Sequence, residues 1–195
     1  LGFEIVVIGA SYGGLSALQV LLSELAPNFP LPVVIVQHRK KDGDDGLYEY
    51  MRKRSPLPLI EPDDKEKVEP GRVYLAPRDY HLLIEESIFA LSTESPVAYA
   101  RPSIDVLFES AADVYHERVI GVILTGANRD GANGLAKIKA LGGLAVVQEP
   151  ESAESRAMPD AAISATKVDR ILPLAGIAPF LNELCQPIQR LLHAR

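Results

Sequence analysis

Cysteine is nearly absent from this chain. Cys185 is the one cysteine among 195 residues, so no intrachain disulfide can form. The core alone must hold the fold, which suits a reducing compartment. Positive charge is also scarce: 20 Lys and Arg stand against 26 Asp and Glu, a formal net charge of −6. No basic stripe offsets this, and an acidic chain repels phosphate backbones, so nucleic acid is not expected as a partner. No apolar run approaches the roughly 20 residues that cross a bilayer. Leu1-Gly2-Phe3-Glu4 lacks the positive stretch of an export signal. A cytoplasmic location without membrane insertion is therefore expected. No two histidines, and no histidine and cysteine, stand at metal-ligand spacing, so no metal is expected.

What remains is an ordinary globular composition, 47% hydrophobic and 24% charged. At this length it fits one domain, 1–195. Glu4 to Gly9, Pro32 to Gln37, Val119 to Leu124 and Leu144 to Gln148 are near-continuous apolar runs rich in β-branched residues. Such runs mark strands buried on both faces, as in parallel sheets. Helical patterns lie between and after them. Leu15, Leu18, Leu21, Leu22 and Leu25 make one apolar face, and Ile104, Leu107, Phe108, Ala111 and Tyr115 make another. Leu135, Ile138 and Leu141 make a third, stopped by Gly142-Gly143. Ile177 to Leu184 mark a last helix, interrupted at Pro187. Strands alternating with helices predict an α/β sandwich with a mostly parallel sheet. The proline-rich stretch from Ser55 to Ser92 breaks the rhythm and reads as a hairpin-rich insertion or a sheet edge.

The turn after the first strand reads Gly9-Ala10-Ser11-Tyr12-Gly13-Gly14. A dinucleotide fingerprint would need glycine where Ser11 stands, and no ribose-binding acid closes the second strand at Gln37-His38. No cofactor is expected. The same residues fit a nucleophile elbow, G-x-S-x-G, which lifts a serine hydroxyl above the sheet beside a helix N-terminus. Ser11 could instead simply cap the helix that follows. A nucleophilic serine needs a base, and the base an orienting acid. His38 follows the second buried strand, and Asp130 lies in the loop after Val119 to Leu124. All three leave the C-terminal ends of parallel strands, the edge where open α/β sheets bind ligands. His81 is a rival base, and Asp130 could merely cap the helix through Leu135. His116 and His193 lie on helical patterns with polar neighbours and read as solvent-facing.

Several runs come in an order that resembles a known family. They are Gly9 to Gly14, Gln37-His38, Ala76-Pro77 with His81, Arg101-Pro102-Ser103-Ile104-Asp105-Val106-Leu107-Phe108, Thr125-Gly126 with Asp130-Gly131, and Met158-Pro159. This is the order of the catalytic domain of chemotaxis protein-glutamate methylesterases, the CheB type, from about Ile5 to about Leu174. The resemblance implies a three-layer, doubly wound, Rossmann-like α/β domain. It implies hydrolysis of glutamyl methyl esters on the cytoplasmic domains of chemoreceptors, with deamidation of receptor glutamines in some members. The family's nucleophile, histidine and aspartate fall on Ser11, His38 and Asp130, which leaves His81 a supporting role. Arg101 falls in the substrate cleft, and Ser103 is a helix cap first. Backbone N–H groups at Ala127 and Tyr12 would receive the oxyanion. A receiver domain, which family members usually carry, is a candidate partner in a longer chain; none lies within 1–195.

Two departures from the family pattern stand out. Tyr12 replaces the usual threonine, and Ala127-Asn128 replaces Met-Gly in the T-G-M-G-x-D-G loop. A main-chain donor survives at Ala127, and Asn tolerates the positive φ that the glycine would allow. Two other functions stay open on these departures: a receptor-binding module without catalysis, and an esterase for another carboxylic ester.

Overall fold

The computed structural model describes residues 2–39 and 46–185. Pro187 and His193 lie outside them, and with them the expected helix interruption and one of the two histidines expected to face solvent. The described chain opens with β1 (Ile5–Ala10), α1 (Gly14–Ser23), β2 (Val33–Gln37), α2 (Gly46–Arg52), β3 (Leu59–Ile60) and β4 (Val73–Leu75). It continues through β5 (His81–Glu85), β6 (Ile88–Ser92), α3 (Ile104–Tyr115), β7 (Val119–Ile123) and α4 (Ala132–Ala140). It closes with β8 (Leu144–Gln148), α5 (Ala157–Ala165), β9 (Arg170–Leu172) and α6 (Leu174–Cys185).

Among the described residues, seven strands make one parallel sheet in the order β3-β4-β2-β1-β7-β8-β9. The two halves grow outward from β1 and β7, so the winding reverses between these neighbours. A doubly wound sheet opens a crevice at such a point, beyond the C-terminal strand ends. The central strands are buried on both faces because their residues are apolar at every position: β1 (IVVIGA) and β7 (VIGVI) are buried throughout. Side chains alternate between two cores. Ile5 and Val7 join Ile104, Phe108, Leu135 and Met158 on the α3–α4–α5 side. Val6 and Ile8 join Leu18, Leu21, Leu22 and Ile177 on the α1–α6 side. The result is the three-layer, doubly wound α/β fold. No helix among the described residues is long and apolar enough to cross a membrane.

The irregular stretch resolves into both of its expected forms. β3 and β4 extend the parallel sheet to its edge, while β5 and β6 pair antiparallel as a separate hairpin over α3. The Gly142-Gly143 stop is a Schellman turn: Gly143 N–H donates to the Ile138 carbonyl and Gly142 N–H to that of Lys139, at 2.9 and 3.1 Å. Not every leucine of the apolar patterns is core. Leu15, Leu141 and Leu184 are exposed. His116 is exposed at the C-terminal end of α3.

Candidate active site

The sheet delivers three loops to one crevice. Ser11 follows β1 directly, His38 follows β2, and Asp130 lies between β7 and α4. The turn at Ser11 is fixed from both flanking loops. Its N–H donates to the Thr125 carbonyl at 3.0 Å, and the Gln37 Nε2 amide donates to its carbonyl at 2.8 Å. Thr125 Oγ1 donates to the Tyr12 carbonyl at 2.9 Å. The two glycines of the motif act differently. A side chain on Gly9 would strike Ile104 of α3, so its absence lets that helix approach β1. Gly13 has φ 76° and is the residue from which α1 starts.

That start carries no side-chain cap, so the Ser11 hydroxyl is not spent on the helix, although the Ser11 carbonyl accepts from the Gly14 N–H at 2.9 Å. Its Oγ stands 3.1 Å from His38 Nδ1, and His38 Nε2 stands 2.7 Å from Asp130 Oδ2. An ionised carboxylate only accepts, so Nε2 carries the ring proton. The Nδ1 lone pair is left to accept from the serine hydroxyl.

Asp130 is fully buried, and four donors converge on it. His38 Nε2 and the Ile104 N–H reach Oδ2, both at 2.7 Å. Ser103 Oγ at 2.8 Å and the Asp105 N–H at 3.0 Å reach Oδ1. Burial would raise the carboxyl, but the hydrogen bonds from His38, Asp105 and Ile104 outweigh it and hold Asp130 below the usual range. Asp130 does cap a helix, but α3 rather than the α4 that follows it. In return Asp105, near the start of α3, accepts from the Gly134 N–H of α4 at 2.7 Å. Each helix thus begins on a carboxylate from the neighbourhood of the other's N-terminus, where negative charge is favoured. The outcomes differ. Asp105 is raised above the usual range, chiefly by burial, with the charge of Asp130 adding to it; the Gly134 N–H opposes this without prevailing.

His81, the rival base, is buried, and both its ring nitrogens are engaged by groups other than the serine. Its Nδ1 accepts from the Ser103 N–H and its Nε2 meets the Ser95 carbonyl, both at 3.2 Å. It braces Ser103, which donates to Asp130 and also accepts from the Val106 N–H at 3.5 Å as the cap of α3.

The rim of the site is open. Tyr12 is 61% exposed and Ala127 is exposed. Neither backbone N–H has a hydrogen-bond partner among the described residues. Beside His38 lies a cavity of about 320 Å³, walled in part by Arg39, Tyr99, Arg101 and Asn128. The Arg101 guanidinium is committed to Asp79 at 2.6 Å and to the Thr93 and Glu94 carbonyls at 2.7 and 3.0 Å. It therefore shapes the wall and fixes the segment ahead of α3. Asn128 departs from expectation. Its φ is not positive; instead its Oδ1 accepts from the Asp130 N–H at 3.1 Å in an Asx turn.

Sequence reasoning gave no role to the polar groups that pin these loops. Gln37 and Gln148 end otherwise apolar strands and are buried. Gln148 Oε1 accepts from the Thr125 N–H at 2.9 Å. Met158 packs on Gly126, the Met158 N–H donates to the Gly126 carbonyl, and the Gly126 N–H donates to the Ser155 carbonyl. A lone polar residue closing a buried strand was the available signal, because its side chain needs a partner across the sheet edge.

Comparison with known proteins shows what the chain as a whole resembles. The family model for CheB methylesterase covers residues 6–181. A Leptospira interrogans protein, provisionally named protein-glutamate methylesterase/protein-glutamine glutaminase, is 48% identical over 187 residues, 95% of this chain and 97% of its own. A Thermotoga maritima protein of that double name is 36% identical over 93% of this chain, and the match spans 54% of its length. The crystal structure of the Thermotoga maritima CheB methylesterase catalytic domain superposes with a TM-score of 0.89 at 35% identity. That match covers 94% of this chain and 100% of the other.

Proposed function

The chain belongs to the CheB methylesterase family, and from that premise we propose that it hydrolyses glutamyl methyl esters on chemoreceptor cytoplasmic domains with Ser11 as nucleophile, His38 as base and Asp130 as the orienting acid. The observation that carries this reading is the unbroken hydrogen-bonded chain Ser11–His38–Asp130 at the switch point of the sheet.

His38 Nδ1 accepts the Ser11 hydroxyl proton as Oγ attacks the ester carbonyl. Negative charge develops on the carbonyl oxygen, and the unpartnered N–H groups of Ala127 and Tyr12 are the candidate donors to it. Asp130, already ionised, steadies the imidazolium through Nε2–H. The Nδ1 proton passes to the departing methoxide, and methanol leaves an acyl-serine. Water, deprotonated by the same nitrogen, cleaves that ester and returns glutamate and free Ser11. A glutamine side chain enters the same sequence with ammonia leaving in place of methanol, in keeping with the double name of the relatives.

Methanol release from a methylated receptor cytoplasmic fragment tests the proposal. Wild type is expected to release methanol, and Ser11→Ala is expected to lose all but weak residual turnover. Equal release by both proteins would remove Ser11 from the mechanism. Release by neither, with the fold intact, would remove this substrate.

A further inference from the structure

The base has a second neighbour that the mechanism above does not use. Asn128 Nδ2 lies 3.3 Å from His38 Nδ1, the nitrogen that also faces Ser11 Oγ. The orientation of the amide follows from its other end. Asn128 Oδ1 accepts from the Asp130 N–H, and a backbone N–H can only donate, so the NH2 end must face the ring. The orientation of the ring is fixed as well, because the Asp130 carboxylate holds the proton on Nε2. One lone pair on Nδ1 is therefore shared between the serine hydroxyl and the asparagine amide.

We propose that Asn128 is a positioning residue that keeps His38 in its neutral Nε2–H form and so extends activity to lower pH, at the expense of maximal turnover. The proposal rests on reading Ser11 and His38 as nucleophile and base. Its physics is donor against donor. While Nδ1 is bare, the amide N–H has an acceptor. Once Nδ1 takes a proton, two donors face each other and the contact turns unfavourable. Protonation from solvent is opposed in the resting enzyme, which keeps the base available in acid. Protonation by Ser11 is opposed too, which slows the chemical step.

The other groups around the ring do not change when Asn128 does. Among the described residues, Asp130 faces Nε2, with Asp105 behind it. On the cavity side stand Tyr99, Arg39 paired with Glu61, and Arg101 paired with Asp79. Three variants separate the contact from the turn it sits in. Asn128→Gly removes both. Asn128→Ser keeps an oxygen for the Asp130 N–H and removes the amide donor. Asn128→Asp keeps the turn and puts an acceptor opposite Nδ1, reversing the sign.

The experiment is the pH–rate profile for methanol release by wild type and the three variants, beside ¹⁵N spectra of the His38 ring in the same full chains. In Asn128→Gly and Asn128→Ser the acid limb is expected to move up by about half to one pH unit, the equivalent of one lost hydrogen bond. Their plateau rates are expected to rise a few-fold. In Asn128→Asp the limb is expected to move up further still. The ring spectra are expected to show His38 protonating at correspondingly higher pH. Coincident profiles and coincident spectra for wild type, Asn128→Gly and Asn128→Ser would overturn the proposal. Because the spectra need no turnover, they test the contact even if methanol release fails. Undiminished release by Ser11→Ala would identify failure of the underlying triad reading instead.

Discussion

The floor and the rim of this site are built on opposite principles. On the floor, Asp130 is buried and receives four hydrogen bonds, and Ser103 and His81 behind it are buried and bonded in turn. On the rim, Tyr12 and Ala127 face solvent, and the candidate oxyanion donors are main-chain groups without partners among the described residues. Every departure from the usual family pattern noted above, Tyr12, Ala127 and Asn128, lies on the rim. A saturated, buried carboxylate cannot change without orphaning its donors. A main-chain N–H is indifferent to the side chain beside it. The floor is thus closed to variation by hydrogen-bond stoichiometry, while the rim can vary without losing its chemistry.

Substitutions at three positions would break or sharpen that contrast. Asp130→Asn is expected to have the largest effect, a loss of about 10⁴-fold in kcat, because an amide cannot accept from all four donors and disfavours the productive tautomer. Steady-state kinetics on the methylated fragment would measure it, and a loss under tenfold would make the floor as tolerant of side-chain change as the rim. Ala127→Pro removes one N–H and is expected to lower kcat by about 100- to 1000-fold with little change in KM, whereas Ala127→Met is expected to stay near wild type. Equal losses from both would mean that the side chain, not the main chain, matters there.

The smallest effect divides the floor itself. Asp105 is raised, so its charged form is disfavoured by the fold. That penalty is present at neutral pH and disappears as pH falls and the carboxyl takes up its proton. Asp130 is lowered, so the stability it supplies is present above its unfolded value and is lost as pH falls toward its folded one. Asp105→Asn keeps an acceptor for Gly134 N–H and is expected to raise the melting temperature by about 2 °C at pH 7. Near pH 4 the gain is expected to vanish. A gain that persists in acid would mean that the charge of Asp105 is not what strains this region.

The parts of the fold that were legible are those whose physics is local. β1, β2, β7 and β8 are continuous β-branched runs because both their faces are covered. α1, α3 and α4 carry a leucine or isoleucine stripe because one face is. β9 went unread because its edge position leaves Arg170 and Ile171 exposed and no run develops. α5 went unread because its contact face is mostly small, Met158 and Ala162 among the buried residues, with Pro159 in its first turn. The meeting of Ser11, His38 and Asp130 at one sheet edge was legible because each follows a buried strand. The bracing of Asp130 by α3, and of Ser103 by His81, was not. Those bonds join residues more than 20 positions apart and leave no periodic trace. For Asn128 the residue type suggested a backbone role, and its side chain turned out to hold the turn.

The exchange of carboxylates between α3 and α4 also makes the active site audible from the backbone. The amide protons of Ile104 and Asp105 are held by the same oxygens that steer the imidazole and accept from Ser103. Neither proton can trade with solvent deuterium unless Asp130 lets go. Their exchange rates therefore clock how often the floor comes apart, in an enzyme at rest and with no substrate present.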